Sequence, residues 1–384
     1  MYANAPPKFF SLLTVSLLLS GFCPGATASG EDVGNQPGVK GTSTLSLEVS
    51  QGDPLKLKDK QALGEPVAAH LKNHRFDELE SIADQVRKND VHYADGRMKL
   101  EFLYNGLEAG RKASDEEYKA HLDDIRLWIK EKPNSATAAA ALVSNLNGWA
   151  WKARGSGYAH SVSSAQFGEF TKRLKEANQA LEEGRKLSKQ CPHLYVGGQT
   201  VGLGQSWAKA KYDAFVSEGI KKFPTYYEIY FRKAYFLQPR WYGEDNEWVQ
   251  YASRTADSSG GAAGGATGDK LFARIVWAVD NYNFYNNIFS EFSELKWSKV
   301  KSGFEALKKE YPDNLSVASE FCKLAWCAKD EKTAKSLMTY LGKRCDISVW
   351  KKKARFLEAR LALLGLPAMP SAAMPSGAMP SQQK

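Results

Sequence analysis

Two histidines, His70 and His74, stand four residues apart, the spacing that sets two imidazoles on one helix face where they can share a metal ion. The catalytic form of that pattern needs Glu directly after the first His, and here Leu71 follows. With no third ligand evident, the pair reads as a helix surface and no metal is expected. Gly264-Gly265-Ala266-Thr267-Gly268-Asp269-Lys270 has the glycines of a phosphate-cradling loop, but Asp269 interrupts the Gly-Lys step and Leu271 replaces the hydroxyl. Gly155-Ser156-Gly157 lacks the x-Ser-x spacing of a nucleophile elbow. Acid pairs such as Asp123-Asp124 and Glu182-Glu183 are adjacent, so on a helix they point about 100° apart and cannot flank one substrate. No catalytic constellation and no cofactor is expected from these residues.

Recognition chemistry is better represented. Trp151, Arg154 and Tyr158 cluster in one glycine-flanked run, and Arg240, Trp241, Tyr242 and Trp248 in a second. Residues 226–251 hold ten aromatics. Tyr, Trp and Arg offer large contact area at low entropy cost, the composition of binding hot spots. Tyr227, Tyr230, Ala234 and Leu237 step by 3, 4 and 3 and are expected to face a core instead. Arg240, Trp241 and Tyr242 fall at turn signals, where packing alone does not explain a guanidinium. A basic window from Lys343 to Arg360, including Lys351, Lys352, Lys353 and Arg355, is a candidate electrostatic surface for an anionic polymer or lipid head groups.

The elements that position these groups are helical. Phe167, Phe170, Leu174, Ala177, Leu181 and Leu187 form one apolar stripe, and Val300, Phe304, Leu307 and Tyr311 another. Proline recurs at helix ends as Pro133, Pro192, Pro224 and Pro312. From Leu315, the residues Cys322, Ala325, Ala334, Met338 and Leu341 occupy the small and apolar slots of a 34-residue helical hairpin of tetratricopeptide type. The expected fold is therefore all-α, a tetratricopeptide-like solenoid of stacked hairpins over residues 59–366, with a Gly-rich loop at 258–268 inside it.

The ends read differently. Lys8, the apolar stretch Phe9–Leu19 and Ala26-Thr27-Ala28 make a secretory signal with cleavage after Ala28, so the protein is expected to be exported, periplasmic or extracellular. Residues 29–58 read as a flexible leader, and the Ala-Met-Pro-Ser repeats within 367–384 as a disordered tail. The net charge of +9 becomes +8 without residues 1–28. Four cysteines remain in that processed form: Cys191, Cys322, Cys327 and Cys345. They are too few for a disulfide framework in a protein this long, and either buried thiols or a bridge would serve.

Three runs carry a family resemblance: Trp151-x-x-Arg154-Gly155-x-Gly157-Tyr158-Ala159, then Phe170-x-x-Arg173-Leu174-x-x-Ala177, and Leu237-x-Pro239-Arg240-Trp241-x-Gly243. Over roughly residues 70–345 the sequence resembles the bacterial family known as domain of unknown function 4034. That resemblance implies tetratricopeptide-like helices and no established activity. The resulting expectation is an exported scaffold that binds a protein or peptide, without nucleic-acid binding or a membrane span. The alternative is a peptidoglycan-binding protein or all-α enzyme of the cell envelope.

Overall fold

The computed structural model describes residues 58–365, apart from 89–91, 94–95, 111, 158–160, 260–265, 284, 343 and 345. The expected signal with its cleavage at Ala28, most of the leader, Tyr158, Cys345 and the repeat tail lie outside the described residues. Among the described residues the fold is all-helical, with seventeen α-helices, no strand, and a single isolated bridge between His92 and Met98. No helix among them is long and apolar enough to cross a membrane.

A π-helical turn, Lys60–Gly64, opens into α1 (Glu65–Lys72). There follow α2 (Phe76–Lys88), α3 (Lys99–Leu107), α4 (Asp115–Glu131), α5 (Ala136–Arg154), α6 (Ser164–Lys186), α7 (Pro192–Gly204), α8 (Lys209–Lys222) and α9 (Glu228–Phe236). The C-terminal half comprises α10 (Glu247–Ser259), α11 (Ala266–Tyr282), α12 (Ile288–Glu291), α13 (Trp297–Glu310), α14 (Leu315–Cys327), α15 (Glu331–Leu341), α16 (Ile347–Trp350) and α17 (Lys353–Leu364). Because α10 runs to Ser259 and α11 starts at Ala266, both ends of the expected 258–268 loop are helical instead.

Local chemistry sets the boundaries. Ser114 and Glu117 form a capping box at α4, and Ser163 and Gln166 another at α6; Asn314 caps α14 through the Val317 amide. Pro192 occupies the first turn of α7, where its missing N–H costs nothing, while Pro133, Pro224 and Pro312 each follow a helix end. Between these stops most helices bury one stripe, whereas α7 and α14 are buried almost all round. Phe170, Leu174, Ala177 and Leu181 of α6 are buried, but Phe167, in the helix's first turn, stands 58% exposed. In α14 and α15, Cys322, Ala325, Ala334, Met338 and Leu341 are all fully buried at the contact between the two helices.

The main helix–helix packings follow sequence order. From α4 onward, helices pack chiefly on those one or two places along: α4 on α5, α5 on α6 and α7, α7 on α8 and α9, α9 on α10 and α11, α11 on α13, α13 on α14, α14 on α15 and α16, and α15 on α17. Superimposed on this serial order is one long-range closure. Gly96, with φ +83°, lies so close to the Tyr311 ring that a Cβ there would sit 2.5 Å from Cζ. Residues 215 positions apart in sequence thus meet, and the turn at 96–98 lies against the C-terminal helices.

Candidate functional site

That closure builds a cleft. Its walls come from four separated stretches: the turn and α3 start (Gly96, Met98, Glu101), α9 with the residues before it (Tyr226, Tyr227, Phe231), one face of α11 (Arg274, Trp277, Asn281), and the first turn of α14 (Ser316, Val317). On α11, Arg274, Trp277, Ala278 and Asn281 step by 3, 1 and 3, the spacing that gathers side chains on one helix face. The free volume is about 110 Å³, somewhat less than the roughly 150 Å³ cavity that holds a benzene molecule.

Arg274 is the distinctive group. Its guanidinium carbon lies 5.2 Å from the Tyr227 ring centre and 5.8 Å from that of Tyr311. Rings on two sides restrict the fork without neutralising it. Arg274 makes no ion pair among the described residues; the nearby Glu310 carboxylate is taken by Lys270 at 2.5 Å. The other cations bordering the cleft are paired: Arg97 with Asp59 at 2.6 Å and Arg232 with Glu228 at 2.8 Å. One turn beyond Arg274, the Trp277 indole nitrogen is buried with no hydrogen-bond partner.

On the cleft wall and beneath it runs a polar, hydrogen-bonded interior, with Tyr226 and Glu228 at the cleft itself. Glu228 accepts hydrogen bonds from Arg232 and, at 3.3 Å, from the Tyr282 hydroxyl; burial raises its pKa, with Arg232 opposing. The Tyr226 hydroxyl shares a 2.9 Å hydrogen bond with His193 Nδ1. Burial, then the Arg232 charge, pushes His193 down to about 3, so the ring is neutral, and it stacks on Tyr104 at 3.9 Å. A second network adjoins. Lys323, 1% exposed, donates to Asp280 (2.5 Å), Glu320 (2.8 Å) and the Val349 carbonyl (3.0 Å). Ser316, on the cleft wall, donates to buried Asp346 at 2.5 Å. Among the described residues no group of three or more metal-ligating side chains assembles. The arrangement therefore offers aromatic walls and a guanidinium with no ion pair among the described residues, which are the means of binding.

The residues singled out in the sequence lie mostly elsewhere, and several are corrected. Trp241 and Trp248 are buried; Trp241 lies 5.6 Å from the Tyr235 ring, and Trp248 meets Phe292 edge-on at 5.0 Å. Tyr242 is half-buried on Phe236, its hydroxyl donating to the Leu203 carbonyl and accepting from the Ser206 hydroxyl. Arg240 is half-buried over the Tyr235 ring at 4.9 Å and reaches the Tyr282 carbonyl. This is a structural turn: a Cβ at Gly243 would lie 1.9 Å from the Leu237 carbonyl oxygen, so Leu237–Gly243 closes tightly around a buried tryptophan. Arg154 is 3% exposed and donates to the carbonyls of Gly155 and Gly157, and half-buried Trp151 packs on Phe170. Arg154 and Arg240 engage different partners.

The basic window is corrected in the same way. Lys351 donates to the Asp280 and Asn283 carbonyls, and Arg355 to those of Tyr285 and Asn286, leaving only Lys352 and Lys353 of the four exposed. His74 falls beyond the end of α1 at φ 54° and bonds Asp124 at 2.8 Å, so it does not share a helix face with His70. Cys191 and Cys322 are buried and Cys327 is half-buried, and no disulfide joins these three. Of the aromatic segment expected in the core, Tyr230, Ala234 and Leu237 are buried as anticipated, whereas Tyr227 turns to the cleft. Arg274, Trp277 and Asn281 were not singled out; their signal was a polar and aromatic stripe interrupting an otherwise apolar helix. No family model, no curated protein and no solved structure matches this sequence.

Proposed function

We propose that the protein is a helical-repeat binding protein whose stacked hairpins curl until the turn at 96–98 meets Tyr311, and whose cleft receives an anchoring side chain or terminus of a peptide or protein partner. The observation that carries this reading is the assembly, from four stretches separated in sequence, of an aromatic-walled cleft around a guanidinium with no ion pair among the described residues. The serial packing from α4 to α17 supports the stack, since each hairpin buries its apolar stripe on its neighbours. Export through the N-terminal segment and membership of the domain of unknown function 4034 family belong to the same proposal, resting on the sequence runs named above.

The free volume suits one side chain at a time. The rival carbohydrate reading needs exposed aromatic platforms; Phe167 is the one large hydrophobic residue that stands exposed among those described, and the aromatics of 226–251 are largely inside. A displayed library of short peptides selected on the wild-type protein tests the proposal. Hits should be lost on Ala278→Leu, which adds bulk to the cleft wall, and kept on Phe167→Ser. Retention of every hit on Ala278→Leu would remove the cleft as the binding site.

A further inference from the structure

We propose that the cleft selects a single carboxylate set beside an aromatic or branched apolar group, with the carboxylate on Arg274 and the apolar body between Phe231, Trp277 and Val317. This rests on the reading of the cleft as the binding site and adds the chemistry of what enters it.

Three observations converge on that chemistry. First, Arg274 has no ion pair among the described residues, Glu310 acting on it only from a distance, while Lys270, Arg97 and Arg232 around it each hold a carboxylate directly. A guanidinium carries donors in a fixed fork matched to a carboxylate, and the flanking Tyr227 and Tyr311 rings hold the fork in place before any ligand arrives. Second, the Trp277 indole lies one helical turn along the same face and lines the cleft, so an aromatic plane stands beside the guanidinium where the apolar body of the ligand would lie. Third, Met98, Phe231, Ala278 and Val317 form an apolar part of the wall, and the free volume of about 110 Å³ admits a compact group up to about the size of a phenyl ring.

The acidic groups of the cleft set the limit on charge. Glu228 is engaged by Arg232 and Tyr282, and its burial favours the neutral acid. Glu101 lies on another wall, where it disfavours a second carboxylate on the same ligand. The free carboxyl terminus of a peptide ending in an aromatic residue and a small aryl acid share the required chemistry.

Calorimetric titration of the full-length protein with four probes decides between them: phenylacetate, 2-phenylethanol, acetyl-Ala-Ala-Phe with a free C-terminus, and the same peptide as its C-terminal amide. The acids should bind at least about tenfold more tightly than their neutral counterparts, the effect of a charge-assisted hydrogen bond. Arg274→Gln, checked for unchanged circular dichroism, should erase that ratio while leaving 2-phenylethanol binding as it was. Tighter binding of the peptide acid than of phenylacetate assigns the site to a peptide terminus, and the reverse order assigns it to a free acid; both support carboxylate recognition. Equal affinity of acids and neutral probes, or an undiminished ratio in Arg274→Gln, overturns the inference and leaves the cleft reading standing. Absence of binding by all four probes overturns both.

Discussion

Replacing Glu320 by Gln should change how the stability of the fold depends on pH, and the size follows from the buried network. Glu320 is fully buried; one oxygen accepts from Lys323 and the other, Oε1, has no partner. Burial drives its pKa up from the ordinary 4.5 to about 7, with Lys323 resisting the rise and Asp280 reinforcing it. Between those values the native state keeps a proton that the unfolded state has released, so stability falls as pH rises from about 4.5 to about 7 and is level above. At 1.36 kcal/mol per pKa unit, the loss is on the order of 3 kcal/mol. His193 acts in the opposite sense, because its pKa is lowered to about 3 and its contribution to stability grows with pH up to the ordinary 6.5. It is common to both proteins and cancels in their difference.

Urea unfolding followed by tryptophan fluorescence, from pH 4.5 to 8, supplies that difference. Wild type and Glu320→Gln should coincide near pH 4.5, where the glutamic acid is protonated like its amide. The variant should lead by on the order of 3 kcal/mol at pH 7.5. A difference that stays constant within about 0.5 kcal/mol across the range, or one that shrinks as pH rises, would refute the assignment of a strained carboxylate at this site.

Two further outcomes concern the closure and the turn. Gly96→Ala forces a side chain at φ +83° against the Tyr311 ring, so it should lower the thermal midpoint, with roughly 1–2 kcal/mol from the backbone alone, and weaken binding of phenylacetate by displacing a ring that flanks Arg274; an unchanged midpoint and affinity would argue that the contact is dispensable. Trp241→Ala should cost about 3–5 kcal/mol because it empties a core position, whereas Arg240→Ala, half-buried and held by one long hydrogen bond, should cost about 1 kcal/mol or less; the reverse order in chemical denaturation would restore Arg240 as the anchor of that turn.

Much of the helical framework could be read from periodicity, because burial of a stripe is a local demand. Phe170, Leu174, Ala177 and Leu181 had to face inward, as did Val300, Phe304 and Leu307, and they do. Proline and capping residues fixed the stops for the same local reason. Exposure at turns was harder. Arg240, Trp241 and Tyr242 sit at a turn, as their flanking Pro239 and Gly243 signalled, but the turn folds against Tyr235 and Tyr282, and no local pattern records that neighbour. Lys351 and Arg355 looked like solvent-facing charges and instead satisfy carbonyls at the end of α11 and just beyond it. The cleft lay out of reach because periodicity tells which face of a helix is apolar, never which two faces meet across residues 96 to 317.

Both polar networks converge on α11. Glu228 and Arg232 of α9 reach it through the Tyr282 hydroxyl, and Lys323 of α14 through Asp280, while Lys351 seals its last carbonyls. Buried ion pairs add little net stability over well-packed apolar groups, since desolvating the charges consumes most of what their attraction returns. We read their effect here as one of uniqueness: an apolar face can slide by a rotamer or a fraction of a turn, but a carboxylate such as Asp280 cannot leave Lys323 without stranding a buried charge. The helix pinned in this way is the one that carries Arg274, Trp277 and Asn281. Recognition of a planar carboxylate depends on donors held to within a fraction of an ångström, and a stack joined only by apolar stripes would leave that placement soft. The charges inside this protein are accordingly read as the supports that fix one helix face against the cleft.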